Sequence, residues 1–148
     1  AELMPDEPEV AGLLALMELL ASRTAARTDA EGHPVLLADR NRMRWDRLMI
    51  RRGLAALAEG ERLAGAWRGP YLLQAAIAAC HARAAHWPDT DWPRIAALYD
   101  ELLLVAPSPV VAAFLLLLQA AVLSTSMSSS ASLNLFIKRS FSYFSIIS

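Results

Sequence analysis

The segment between Asp91 and Val111 constrains the fold of this chain more than any other. It fits the frame W-x2-[IL]-[AG]-x2-Y and ends at the triplet Pro107-Ser108-Pro109. The frame is formed by Trp92, Ile95, Ala96 and Tyr99. In a helix these side chains share one face, and the small alanine lets a partner helix approach closely. The pattern is typical of repeated helical hairpins, so it predicts a binding or regulatory module rather than an active site.

The composition predicts one domain with a hydrophobic core. Of the 148 residues, 55% are hydrophobic and 20% are charged. The formal net charge of -1 gives no overall attraction to nucleic acid or to an anionic membrane. The single cysteine, Cys80, excludes an internal disulfide and fits a reducing compartment. The acidic start AELMPDEPEV lacks the layout of a signal peptide, so we expect a cytoplasmic segment of a longer chain.

Proline and glycine divide the chain into five predicted helices. Asp6 caps the first helix, Pro8 lies in its first turn, and one apolar stripe follows. The stripe consists of Val10, Leu13, Leu14, Met17 and Leu20. Residues 28–39 contain a glycine and a proline, which predicts a loop with a short extended piece at 35–37.

The second predicted helix starts near Asn41 or Arg42 and ends at Gly60. Its interior Gly53 lowers helix stability by roughly 1 kcal/mol relative to alanine, which predicts a close helix contact at that point. The third helix starts at Gly69-Pro70. One face of it carries mostly small residues: Tyr71, Gln74, Ala75, Ala78, Ala79 and Ala82.

Proline-containing turns also start the fourth and fifth predicted helices. Thr90 or Asp91 caps the fourth, with Pro93 in its first turn. Its predicted buried stripe is Ile95, Leu98, Tyr99 and Leu102. Ser108 caps the fifth, which continues into an apolar run from 110 to 123. That run covers about two thirds of the ~20 residues that a bilayer requires, so it predicts a core or interface helix.

One cluster of arginines is the candidate interaction surface. The cluster contains Arg40, Arg42, Arg44, Arg47, Arg51 and Arg52. If the second helix starts early enough, Arg40, Arg44, Arg47 and Arg51 share one of its faces. A solvated face with Asp39 and Asp46 nearby is the favoured interpretation, and contact with nucleic acid or an acidic partner is the alternative. The interaction candidates are Arg44, Arg47 and Arg51, with Tyr71 and Gln74 on the third helix.

The sequence predicts no enzyme, metal or cofactor. Cys80 and His81 point about 100° apart on a helix, and no second pair with zinc-ligand spacing accompanies them and His86. No glycine-rich phosphate loop or catalytic serine or zinc motif is present in the sequence. Among the tryptophans, Trp45 and Trp92 are predicted core residues. Trp67 and Trp87 are predicted lids over the helical core, or else partner contacts.

Four blocks in register over residues 3–111 resemble the tetratricopeptide-like C-terminal extension of one group of extracytoplasmic-function (ECF) sigma factors. The blocks are Met4-Pro5-Asp6-Glu7-Pro8-Glu9-Val10 with Gly12 to Met17; Arg42 with Trp45-Asp46-Arg47, Ile50 and Gly53-Leu54; Gly69-Pro70-Tyr71 with Leu73 to Ala79 and His81-Ala82; and Thr90-Asp91-Trp92 with Ile95 to Asp100, Leu102-Leu103 and Pro107 to Val111. The resemblance implies an all-α fold of antiparallel helical hairpins, stacked as a right-handed tetratricopeptide-like array. It also implies a non-catalytic regulatory domain.

The resemblance ends after Val111. A domain of this family is expected to continue with a further helical hairpin, and the sequence of this chain after Val111 does not match that pattern. We expect a helical domain over 1–123 and an atypical Ser/Phe-rich tail over 124–148, from a frameshift, a truncation or an artificially added end. The expected partners are the promoter-binding regions of the sigma factor, the RNA polymerase core or a regulatory protein, without direct nucleic-acid or membrane binding. The C-terminal apolar segment is a candidate homodimer contact. The alternative function is a free-standing helical-repeat scaffold that binds a peptide or small ligand in its groove.

Overall fold

The structure, a computed structural model, describes residues 7–36 and 39–113. Four α-helices make up most of this part: α1 (Glu7–Ala21), α2 (Arg47–Ala64), α3 (Pro70–Arg83) and α4 (Trp92–Val105). Residues 109–113 are also helical, and short 3-10 turns lie at Thr24–Ala26, Arg42–Arg44 and Trp87–Asp89. The described residues contain no strand, only an isolated bridge between Thr28 and Pro34 in the predicted loop. The all-α prediction is confirmed.

Local sequence signals determine where most helices begin. The Asp91 carboxylate accepts a hydrogen bond from the Arg94 N–H (3.1 Å), which identifies Asp91 as the predicted cap of α4. Gly69 precedes Pro70 at the start of α3, as predicted. The start of α2 differs from the prediction, because the Asp46 carboxylate caps the helix at Leu48 and Met49. Residues 42–44 therefore form a separate 3-10 turn before α2.

Two glycines bring α1 and α2 into close antiparallel contact. A Cβ on Gly53 would lie 2.7 Å from the Leu19 Cγ, and one on Gly60 would lie 3.2 Å from the Ala11 Cβ. Gly53 thus has the predicted close-contact role. The prediction that Gly60 ends the helix is wrong, because α2 continues to Ala64 and Gly65 follows it at a φ of 62°. Gly60 provides space for the neighbouring helices and does not stop α2.

Helix α3 occupies the centre of the described part. It contacts α1, α2 and α4 and is buried on nearly all sides. Its buried residues are Leu72, Leu73, Ala75, Ala76, Ile77, Ala78, Ala79, Cys80 and His81. On α4, the predicted stripe of Ile95, Leu98, Tyr99 and Leu102 is buried, and so are Trp92 and Ala96. The residues of the W-I-A-Y frame therefore belong to the core.

Four of the five residues of the apolar stripe on α1 are exposed. Val10, Leu13, Leu14 and Met17 are 51%, 39%, 51% and 61% exposed, and we call these four residues the α1 stripe. The buried positions of α1 are Gly12, Ala15 and Leu19. A Cβ on Gly12 would lie 2.6 Å from the Leu72 backbone nitrogen, so α3 packs where α1 has its smallest side chain. Close approach, more than hydrophobicity, determines which face is buried.

The four tryptophans divide into three buried residues and one exposed residue. Trp45 and Trp92 are core residues, as predicted, and Trp87 is buried as a lid would be. Trp67 is 56% exposed, which does not fit a lid.

Within residues 7–36 and 39–113, no helix is both long and apolar enough to cross a membrane. Most of the apolar run at 110–123 and the whole predicted tail at 124–148 lie outside the described residues.

Candidate functional site

A groove of ≈510 Å³ lies between the start of α2 and the end of α3. One wall comes from the 3-10 turn and the first turn of α2, and the other from the last residues of α3 and the loop that follows. Its lining residues are Arg40, Asn41, Arg42, Met43, Trp45, Arg47, Ile50, Ala82, Arg83, Ala84, Ala85, His86 and Trp87. We call this feature the basic groove.

The basic groove carries positive charge without a carboxylate among its lining residues. Four arginines and one histidine line it, from both walls. Burial lowers the pKa of Arg40 and Arg42, and the charge of Arg27 lowers that of Arg40 further. Asp89 is close enough to Arg42 to oppose the effect of burial there. Arginine keeps its charge at neutral pH despite such shifts, so the groove can attract anionic groups.

Arg42 joins the two walls. Its Nη1 donates a 2.5 Å hydrogen bond to the His81 carbonyl oxygen, one of the last carbonyls of α3 that lack a partner within the helix. Its guanidinium also lies 4.5 Å from the centre of the Trp45 ring, in a cation–π contact. Arg42 therefore caps α3 and fixes the groove's shape, which makes it a positioning residue.

An aromatic cluster supports the groove from inside. His81 stacks on Trp87 with 6.1 Å between ring centres and meets Trp92 edge-on at 5.6 Å. Burial lowers the pKa of His81 to about 3, and the charges of Arg23 and Arg42 lower it in the same direction. His81 is thus neutral at physiological pH and contributes packing and polarity, not charge.

Only one of the sequence-predicted interaction residues lines the groove. Arg47, the first residue of α2, does so. Arg51 is exposed one turn later on α2, whereas Arg44 lies in the 3-10 turn and donates to the Thr28 carbonyl oxygen at 3.0 Å. The predicted single face that includes Arg40 and Arg44 is wrong, because both residues precede α2.

Tyr71 and Gln74 lie at the opposite end of α3 from the groove. About 16 Å of helix separates Tyr71 from Ala82, at a rise of about 1.5 Å per residue. Tyr71 is 45% exposed, and its N–H donates to a Glu9 carboxylate oxygen at 3.0 Å. The structure therefore does not bring these two candidates together with the arginines.

The second wall of the groove could not be identified from the sequence. Arg83, His86 and Trp87 follow the arginine cluster by more than thirty positions in the chain. Tertiary contacts such as that of Arg42 with His81 bring the two segments together. The available sequence signal is the end of α3 at Arg83, where a basic residue and a proline-containing loop coincide.

Outside the groove, the structure contains a cluster of residue types that can bind metals and a buried cysteine. Asp29, Glu31 and His33 cluster on an exposed turn, where the Asp29 carboxylate accepts hydrogen bonds from the Glu31 and His33 N–H groups. A turn explains that arrangement without an ion. Cys80 is buried in α3, and burial raises the pKa of its thiol, which makes it less reactive.

Comparison with known proteins adds two similarities. Residues 1–61 match the family model DUF6596, a family of unknown function. An uncharacterized protein of Rhizobium meliloti (strain 1021) is 50% identical over 109 residues, which are 74% of this chain and 25% of that protein. The chain thus spans about a quarter of the length of the relative it matches. No solved structure matches the chain.

Proposed function

We propose that this chain is a non-catalytic, protein-interacting regulatory domain of an ECF-type sigma factor, built as a tetratricopeptide-like stack in the cytoplasm. The α1 stripe is the observation that carries the proposal. Four large apolar side chains at helical spacing are exposed on a helix whose other face is packed. Contiguous exposed apolar surface of this kind is characteristic of protein–protein contacts.

Two further observations support a regulatory domain. The four sequence blocks that resemble sigma-factor extensions extend over α1 to α4. The similarity to the Rhizobium protein occupies a quarter of a much longer chain, as expected for one domain joined to others. In the proposal, the α1 stripe contacts the promoter-binding regions of the same sigma factor or the RNA polymerase core, and this contact modulates transcription initiation.

A binding measurement with matched variants tests the proposal. The full chain is immobilised, and its binding to the promoter-binding regions and to core RNA polymerase is measured by interferometry. Leu14→Glu with Met17→Glu places two charges in the α1 stripe, whereas Leu104→Glu alters a residue on α4 that is 84% exposed. We expect the stripe variant to lose binding by about tenfold or more, since a charge in an apolar contact is unpaired, and the Leu104 variant to bind normally.

Two outcomes of this measurement would contradict the proposal. If both variants lost the same amount of binding affinity, the α1 stripe would not be the contact surface. Absence of binding by the folded chain, together with an upstream gene sequence that encodes no sigma regions, would reject the sigma-factor assignment. The free-standing scaffold, which the basic groove also supports, would then replace it.

A further inference from the structure

The basic groove brings four arginines together with no carboxylate among its lining residues. Three arginines outside it form ion pairs: Arg52 with Glu18 at 2.6 Å, Arg62 with Glu59 at 2.6 Å, and Arg68 with Glu61 and Glu101. Among residues 7–36 and 39–113, Arg47 and Arg83 take part in no ion pair, and both are exposed at the groove. The groove therefore has guanidinium groups that are available to an anionic ligand.

Apolar surface lies next to these charges. Met43 is 81% exposed at the groove, whereas Trp45 and Trp87, which also line it, are buried. Ile50 is partly buried and packs against the core. A methionine beside tryptophan rings can adapt to an apolar side chain of variable shape. Exposed arginines around an adaptable apolar patch match a peptide that carries both carboxylates and an apolar residue.

Two of the arginines are held in place before any ligand arrives. The Arg40 Nε donates to the Val35 carbonyl oxygen at 3.0 Å, and Arg42 is fixed by the His81 carbonyl and the Trp45 ring. Side chains that are already ordered lose little conformational entropy on binding. The groove is thus preorganised on the wall formed by residues 40–45.

We infer that the basic groove binds an acidic segment of a partner protein. Carboxylates of that segment meet Arg47 and Arg83, and an apolar side chain of the segment packs on Met43. Arginine suits this role because its planar guanidinium can donate two parallel hydrogen bonds to one carboxylate. The inference goes beyond the proposed function, since it rests on a different surface and does not require a sigma factor.

Nucleic acid is the weaker candidate for the same groove. The net charge of the whole chain is -1, whereas nucleic-acid domains usually extend basic charge over a larger surface. A peptide requires only the local patch.

Fluorescence anisotropy with three labelled probes tests the inference on the full chain. The probes are a peptide of alternating Glu and Leu, the matched Gln and Leu peptide, and a single-stranded oligonucleotide. Arg47→Glu with Arg83→Glu reverses two charges in the groove, and Arg51→Glu with Arg94→Glu reverses two exposed charges outside it. All four arginines are exposed in helices, so circular dichroism should show both variants folded.

We expect the Glu/Leu peptide to bind, the Gln/Leu peptide to bind about tenfold more weakly or worse, and affinity to fall with added salt. The groove variant should weaken binding of the acidic peptide by about tenfold or more, and the control variant by less than about threefold. Equal losses in the two variants, equal binding of the two peptides, or tighter binding of the oligonucleotide would each overturn the inference. None of these readouts involves the α1 stripe, so the outcome is separable from the test of the proposed function.

Discussion

At the scale of single residues, His81 shows how burial and neighbouring charge determine a protonation state. It is 3% exposed, contacts the rings of Trp87 and Trp92, and has Arg23 and Arg42 nearby. The sequence predicts that Cys80 and His81 point in different directions on a helix. It could not show that His81 is enclosed, because the enclosing tryptophans and arginines come from three other segments of the chain.

The His81 environment predicts a pH-dependent stability. The pKa is lowered from 6.5 to about 3, so between these values the unfolded chain binds a proton that the folded chain does not. The stabilisation is complete above pH 6.5 and is lost as the pH falls toward 3. We expect His81→Phe, which preserves ring stacking, to reduce the loss of unfolding free energy between pH 7 and about pH 4.5 by about 2 kcal/mol.

Urea denaturation at both pH values measures this effect. His86→Gln is the control, because His86 is exposed in the loop after α3 and should leave the slope unchanged. Carboxylate protonation contributes equally to all three proteins and cancels in the comparison. An identical pH slope in the wild type and the His81 variant would contradict the expected role.

At the scale of helices, small residues decide which faces meet. Gly12 lies against the backbone of Leu72, and Gly53 lies against the Leu19 side chain. Glu9 adds a polar contact, because its carboxylate accepts hydrogen bonds from the Tyr71 and Leu72 N–H groups at 3.0 and 3.1 Å. These groups are in the first turn of α3, where the Gly69 cap supplies no side chain. α1 thus caps α3 and packs on it.

Replacement of Gly12 by alanine tests the close contact. By helix propensity alone, alanine should stabilise α1 by up to about 1 kcal/mol. We expect the opposite, a loss of about 1–3 kcal/mol, because the new Cβ would lie 2.6 Å from a Leu72 backbone atom that no side-chain rotation can move. The measurement is the free energy of unfolding in urea.

Ala58→Gly provides the matched propensity control. Ala58 is exposed in the middle of α2, so its replacement should lower stability by about 1 kcal/mol through propensity alone. The two values together separate the steric effect at Gly12 from the backbone effect. A stabilised Gly12→Ala variant would show that α1 and α3 do not approach as closely as the structure indicates.

The starts of α3 and α4 and the buried face of α4 could be predicted from the sequence, whereas the start of α2 and the buried face of α1 could not. Asp91 and Gly69-Pro70 act on the neighbouring backbone, so their effect is local and visible in the sequence. The burial of α1 depends on which other helix lies against it, and most of its apolar stripe is exposed while Gly12 and Ala15 are buried. The basic groove could not be predicted from the sequence either, because tertiary contacts bring its second wall next to the first.

At the scale of the whole molecule, the described helices are arranged around α3. It packs against α1, α2 and α4, and its first turn is capped by Glu9 from another helix. α1 and α2 each have an exposed side, and α4 has one at Leu104. Opening of α3 would therefore expose more buried surface than opening of any other described helix, which predicts a gradient of local stability centred on it.

Native-state hydrogen exchange measures this gradient. We expect the slowest amides in residues 73–80, because their opening requires separation from α1 and α4 and so approaches global unfolding. The fastest amides should lie at 28–36 and 65–68, where the backbone is exposed outside helices. In the Gly12→Ala protein, exchange should accelerate first at the start of α3, since that end contacts Gly12. Uniform protection across all four helices would instead indicate one fully cooperative unit, and slowest exchange in α2 would place the stable centre in the α1–α2 pair.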